Sequence, residues 1–274
     1  MTAHLATIAR MEFTAAARLW WIRLFTAAYA LMTISMAYAS GVIGESTDGE
    51  GFARLTVAVL PLALMLVPLA SLLVATSGAP DAGQTAFLLA QPVTRRQFVW
   101  GCWLGQAAAV SVSVAAGLGL GGVVVAAASR AMYAERLIAL IVFCVLGGLA
   151  FLSIGSLISS AVPRRNAAMG IAAFVWFVAV ILYDSAMLGV ALWLPGTAGA
   201  RVLFLSVFGN ALDLIRVLTL VVAGTPHVLG AAGESWLRAL GGPTAAIVVS
   251  SAAMAAWIVV PLGIATAIYS GRDH

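Results

Sequence analysis

The chain has 274 residues, of which 63% are hydrophobic and 9% charged, with a mean hydropathy of +1.07. Soluble domains carry about 25% charged residues, so this composition excludes a soluble globular protein and makes the bilayer the solvent. The formal net charge of +4 is spread thinly, which leaves no nucleic-acid footprint, and the chain has no lysine, the residue a P-loop needs to reach terminal phosphates.

The N-terminal stretch IARMEFTAAARLWWIR (8–23) sets Ile8, Met11, Phe13, Ala15 and Leu19 among charges, the pattern of an amphipathic helix lying in the membrane interface. The apolar run from Leu24 to Ile43 is too long for the core of a cleaved signal, so it reads as a retained span over about 20–43. An acidic loop, GESTDGEG, precedes the second span at 55–77, which contains Pro61 and Pro68; prolines are tolerated there if neighbours satisfy the freed carbonyls.

A polar connector over 78–97 leads to the third span at 98–128. That span carries Gly101/Gly105 and Gly117/Gly121, a spacing that lets helices approach closely. Further spans are expected at 137–162, 167–194 and 245–269. Between the last two, residues 195–240 are broken by Arg201, Asn210, Asp213, Arg216, Glu234 and Arg238. A charge at a span's centre costs about 2.5–3.5 kcal/mol on insertion scales. This region therefore reads as short extracytoplasmic helices, interfacial or re-entrant, forming a cap and not two extra spans. The expected fold is an all-α integral membrane domain over 1–274 with six transmembrane helices.

Six spans place both termini on one side. Their side holds eight arginines and the other six, and the pairs Arg95/Arg96 and Arg164/Arg165 lie in short loops, so the termini are expected in the cytoplasm. Trp20, Trp21, Trp100 and Trp103 read as one interfacial belt, with Trp193 and Trp236 at the other.

Asp184 falls inside the fifth span, where an ionisable group is costly. Two readings stand: a carboxylate on a translocation path, or a structural hydrogen bond to Tyr183 or a nearby serine. Asp213 and Arg216 are three apart and read as a helical ion pair, with substrate contact as the alternative. Cys102 and Cys144 read as buried thiols. His4, His227 and His274 lie outside the spans, and Met32 and Met36 read as packing, so no metal site is expected.

The connector DAGQTAFLLAQPVTRRQFVWGCWLG (81–105) resembles the first cytoplasmic loop of ABC-2-type transporter permeases. The match lies in Asp81, Gly83, Leu88, Leu89, Pro92, Val93, Thr94, Arg95, Gly101 and Gly105; Gln84 stands in place of the usual threonine and Cys102 in place of the usual lysine. WFVAVILYDSAML (176–188) and NALDLIRVL (210–218) are similar to segments of the NosY-like subgroup, where Asn210, Asp213 and Arg216 match while Ala211 and Ile215 depart.

The resemblance implies a permease that docks a cytosolic ABC ATPase through Asp81, Gly83, Leu88, Leu89, Pro92, Arg95 and Arg96. ATP and magnesium would sit on that ATPase, and this chain would hold no cofactor and no catalytic residue. It implies a homodimer in the cytoplasmic membrane among lipid, no nucleic-acid partner, a periplasmic NosD-like partner, and a part in nitrous oxide reductase maturation. A drug- or lipid-exporting ABC-2 permease and a non-transporting membrane anchor are the rival readings.

Overall fold

The computed structural model describes residues 2–39, 49–77, 94–129, 134–162, 164–194, 197–223 and 230–271. Among them the chain forms helices α1 (Thr2–Arg18), α2 (Trp20–Ala39), α3 (Gly49–Ser77), α4 (Arg95–Ser129), α5 (Ala134–Ala161) and α6 (Arg165–Phe177). A π-helical turn (Val178–Leu182) joins α6 to α7 (Tyr183–Trp193); α8 (Thr197–Gly209), α9 (Ala211–Val222), α10 (Gly230–Ala239) and α11 (Pro243–Ser270) follow. Six stretches are long and apolar enough to cross a membrane: Trp20–Ala39, Arg54–Ser77, Arg95–Ala127, Leu137–Ala161, Arg165–Trp193 and Pro243–Ser270. Their bounds follow the apolar runs closely because the bilayer sets a length of about 20 residues for a spanning helix.

The third crossing helix begins at Arg95, three residues before the apolar run at Phe98. The cause is a capping box. The Thr94 backbone N–H donates to Gln97 Oε1 at 3.1 Å, and the Gln97 N–H donates to Thr94 Oγ1 at 3.3 Å. Two orphan donors of the first turn are thereby satisfied, and the two arginines are drawn into the helix.

α4 is the axis of the bundle. On one side Gly101 and Gly105 receive α1, the first against Ile8 and the second against Glu12 and the Ala9 carbonyl. Further along, Gly117 and Gly121 receive α2 at Tyr29 and Thr33. Both GxxxG pairs thus serve close helix approach. They do so in the same order along the two chains, so α1 and α2 run parallel to α4. A tight turn at Leu19, whose N–H bonds the Ala16 carbonyl at 2.9 Å, keeps α1 and α2 nearly continuous. Thr26 and Ser113 share a hydroxyl hydrogen bond of 2.7 Å across α2 and α4. Glu12 receives the Gln106 amide at 3.4 Å, and burial pushes its carboxyl above the ordinary glutamate range.

On the other side α3 and α5 pack face to face, with Gly155 against Leu72 and Ala75. Tyr29, Leu72, Leu118, Phe151 and Leu152 are fully buried between them and α4. Pro68 offers no N–H to the turn before it. Near this point the carbonyls of Met65 and Leu66 also accept side-chain donors, Trp176 Nε1 at 2.8 Å and Tyr29 Oη at 3.4 Å.

The start of α4 and the end of α11 meet at one end of the bundle. Arg95 Nη1 lies 3.4 Å from the carbonyls of both Tyr269 and Ser270, in the last turn of α11, and Phe98 stacks on Tyr269 with ring centroids 5.5 Å apart. The opposite end carries the short helices. α8 turns back antiparallel on α7, with Gly199 against Ala191 and Tyr183 beneath Gly209. α9 then leaves at 93° to α8. Its Ile215 reaches Gly147 in the middle of α5, and nearly all of its residues are buried. α11 starts again from the end where α8 began.

The pair α8–α9 is therefore re-entrant. Its second helix is inserted into the bundle, whereas a cap would rest on the outer surface. The reason is the amphipathic burial of α9, whose Leu212, Leu214, Ile215 and Leu218 fill the space among α3, α5 and α11.

Two of the six tryptophans expected in interfacial belts face protein instead. Trp103 is buried and donates its indole N–H to Ser153 Oγ at 3.0 Å, and Trp236 is buried against Phe204 and Phe208. A buried indole N–H needs a partner, and both have one. Trp193 is 86% exposed, as a belt residue is expected to be.

Candidate functional site

The break between α8 and α9 lies inside the bundle, where the freed backbone groups need partners. Side chains do so. Asn210 N-caps α9, its Oδ1 accepting the Leu212 N–H at 3.1 Å. The other end of the same amide, Nδ2, donates to the carbonyl of Ala179 at 2.8 Å. Ala179 lies in the π-helical turn, where a widened helix releases carbonyls from their usual partners.

The end of α8 is closed by aromatic donors. Tyr183 Oη donates to the Ser206 carbonyl at 2.7 Å, Trp257 Nε1 to Phe208 at 3.0 Å and Trp236 Nε1 to Phe204 at 3.2 Å. The donors come from α7, α11 and α10, so three helices hold one bend.

The π-helical turn also sets the angle at which the next residue but one, Asp184, leaves the fifth span. Arg216 Nη1 lies 3.1 Å from Asp184 Oδ2 and 3.1 Å from Asp213 Oδ1. One guanidinium nitrogen thus serves two carboxylates, one on its own helix and one on α7. Neither of the partners suggested for Asp184 by its sequence neighbourhood takes it. The Tyr183 hydroxyl is turned to α8, and Ser185 Oγ is aimed back at the Ile181 carbonyl at 3.4 Å. The guanidinium 32 positions away is the better partner because it offsets a charge at membrane depth.

Two cavities meet at this cluster. One, of about 680 Å³, lies between α3, the π-helical turn and α9, walled by Leu60, Leu64 and Val180 among others. The second, of about 880 Å³, lies between α7, α8, α9 and α10, walled by Met187, Phe204 and Trp236 among others. Asp184 and Arg216 line both. Asp213 lines only the second, with Arg201 nearby on its wall. The structure thus brings together Asn210, Asp213, Arg216 and Asp184.

The connector residues lie elsewhere. Arg95 and Arg96 open α4 at the opposite end of the molecule, Arg95 half-buried and Arg96 exposed. Asp81, Gly83, Leu88, Leu89 and Pro92 fall outside the described residues. Cys102 sits beside Glu12 and Cys144 is buried, both as free thiols. Among the described residues no group of three or more His, Cys, Asp or Glu gathers as a metal site would require.

An all-α bundle with six crossing helices, a bent apolar helix pair and paired charges at the junction of two half-open cavities is a multi-pass membrane protein of the transporter class. Comparison with known proteins gives the particular family. The chain belongs to the ABC-2 transporter family, whose model, described as ABC-2 family transporter protein, matches residues 6–274. It is similar to the probable ABC transporter permease protein NosY of Pseudomonas aeruginosa, 29% identical over 227 residues covering 78% of this chain and 80% of that one. It is also similar to the protein of the same name from Stutzerimonas stutzeri, 27% identical over 224 residues with the same coverage. It is a permease subunit of an ABC transporter and not an enzyme.

Proposed function

We propose that this chain is the membrane half of an ATP-driven transporter of the cytoplasmic membrane, with both termini in the cytoplasm, and that a cytosolic ABC ATPase carrying ATP and magnesium docks on the connector that ends at Arg95 and Arg96. The observation that carries the reading is the position of Arg95. It stands at the first turn of α4, directly after the connector, and reaches the last two described carbonyls of α11. A push on the connector would therefore act on α4 and α11 together, and α4 in turn holds α1, α2 and α5.

Two further elements belong to this reading. A second copy of the chain covers the exposed flank of α6 and α7, where Phe174, Phe177, Leu188 and Leu192 stand outward beside the half-exposed Asp184. The likeness to relatives named NosY supports a place in nitrous oxide reductase maturation with a periplasmic NosD-like protein at the end where α8 begins.

The test is co-purification of the cognate ABC ATPase with the Arg95→Glu/Arg96→Glu variant. Loss of the ATPase at unchanged permease yield supports docking at this end. Undiminished co-purification overturns it.

A further inference from the structure

We propose that the Asp184–Arg216 contact is a gate between the two cavities, opened when α9 carries Arg216 away from Asp184. The inference rests on the transport reading and adds to it the place where the path is closed.

Three observations support it. First, the two residues are the shared wall: among the described residues Asp184 and Arg216 alone line both cavities. Separating them would join about 680 Å³ to about 880 Å³. Second, the pair joins two elements that can move apart. Asp184 belongs to the continuous fifth span, while Arg216 belongs to α9, a short helix set at 93° to its predecessor and hinged at Asn210.

Third, opening leaves no bare guanidinium. Asp213 is three residues away on the same helix and holds the same Nη1 at 3.1 Å. Asp213, itself buried, travels on the same helix and keeps the guanidinium paired when Asp184 is released. Asp184, once released, is not left as a fully buried bare carboxylate, because its side chain is 44% exposed at the cavity wall.

The test uses the intact chain in oriented membrane vesicles, with Cys102→Ser and Cys144→Ser as background. Leu60→Cys reports on the cavity beside α3, with Val180→Cys as a second reporter on its other wall; Met187→Cys reports on the cavity beside α8. A membrane-impermeant thiol reagent is applied from the side where α8 begins. Asp184→Asn is expected to speed labelling at Leu60→Cys and Val180→Cys by about threefold to fivefold, the factor that corresponds to the upper range for a half-exposed ion pair. Labelling at Met187→Cys should not change, and Asp184→Glu should keep the slow rate.

Unchanged labelling of the deeper cysteines in Asp184→Asn overturns the gate. So does equal acceleration at all three positions, which reports general loosening, or a Glu variant as fast as the Asn variant. None of these outcomes involves the ATPase, so the docking reading stands or falls separately.

Discussion

The side-chain amide of Asn210 donates to the backbone carbonyl of Ala179 at 2.8 Å, tying the N-terminus of α9 to the π-helical turn that precedes Asp184. The same side chain caps α9 through Leu212. Asn210 therefore joins the two elements that carry Asp184 and Arg216.

Asn210→Ala removes both bonds at a 4%-exposed site and should destabilise the protein by about 2–3 kcal/mol, adding a lost cap to an orphaned carbonyl. Asn210→Asp keeps the cap acceptor and loses the donor, so it should fall between. Thermal unfolding of the detergent-solubilised protein gives the order. Equal stability of the Ala variant and the parent would contradict the double role.

The glycines of α4 should divide sharply. A side chain at Gly105 meets the Ala9 carbonyl and Glu12, and one at Gly117 meets Tyr29, whereas one at Gly119 meets nothing. Gly105→Leu and Gly117→Leu should each cost about 1–3 kcal/mol through overpacking. Gly119→Leu should be neutral or mildly stabilising, because leucine favours helix more than glycine does. Melting temperatures of the three variants check this directly.

Glu12 gives a pH dependence of definite sign. Burial raises its carboxyl above the usual range, so the folded state binds the proton more tightly than the unfolded state. Stability then falls as pH rises from the ordinary glutamate value through the raised one, the opposite of a salt-bridged carboxylate. The packing of α1 on α4 should be firmest on the acid side of that window. Glu12→Gln should flatten the dependence and raise stability at neutral pH. A series of melting curves across that window, for parent and variant, supplies the measurement.

The re-entrant course of α8 and α9 predicts sidedness. Cysteines at the exposed positions Thr197 and Ala239, in a background lacking Cys102 and Cys144, should both react with an impermeant reagent from the same side. Reaction from opposite sides would make the bent pair a seventh crossing.

The crossing helices were legible in the sequence because the bilayer demands unbroken apolar runs, and those at Leu137 and Phe98 leave little choice. α4 begins at Arg95, three residues before the apolar run, because the Thr94–Gln97 box draws the two arginines into the helix. That box was a readable signal.

The helical spacing of Asp213 and Arg216 made their pairing legible, whereas the partner of Asp184 could not be read, since no local rule reaches across 32 positions. Nor could the fates of Trp103 and Trp236. An indole near a helix end suits an interface and a core equally, and only the packed neighbours decide. The closure of α8 by three aromatic donors, and the depth of α9, likewise depend on helices brought together from distant parts of the chain.

The bend at the tip of α8 and the contact of Asp184 with Arg216 lie side by side but answer to different physics. The tip is held by a phenol and two indoles, neutral groups bonded to carbonyls. The contact beside it is a pair of opposite charges, half-exposed to cavity water. Dissolved ions weaken the second and leave the first untouched. Ionic strength is thus a lever that acts on one and not the other: raising it should loosen the latch while the pivot on which it swings keeps its shape.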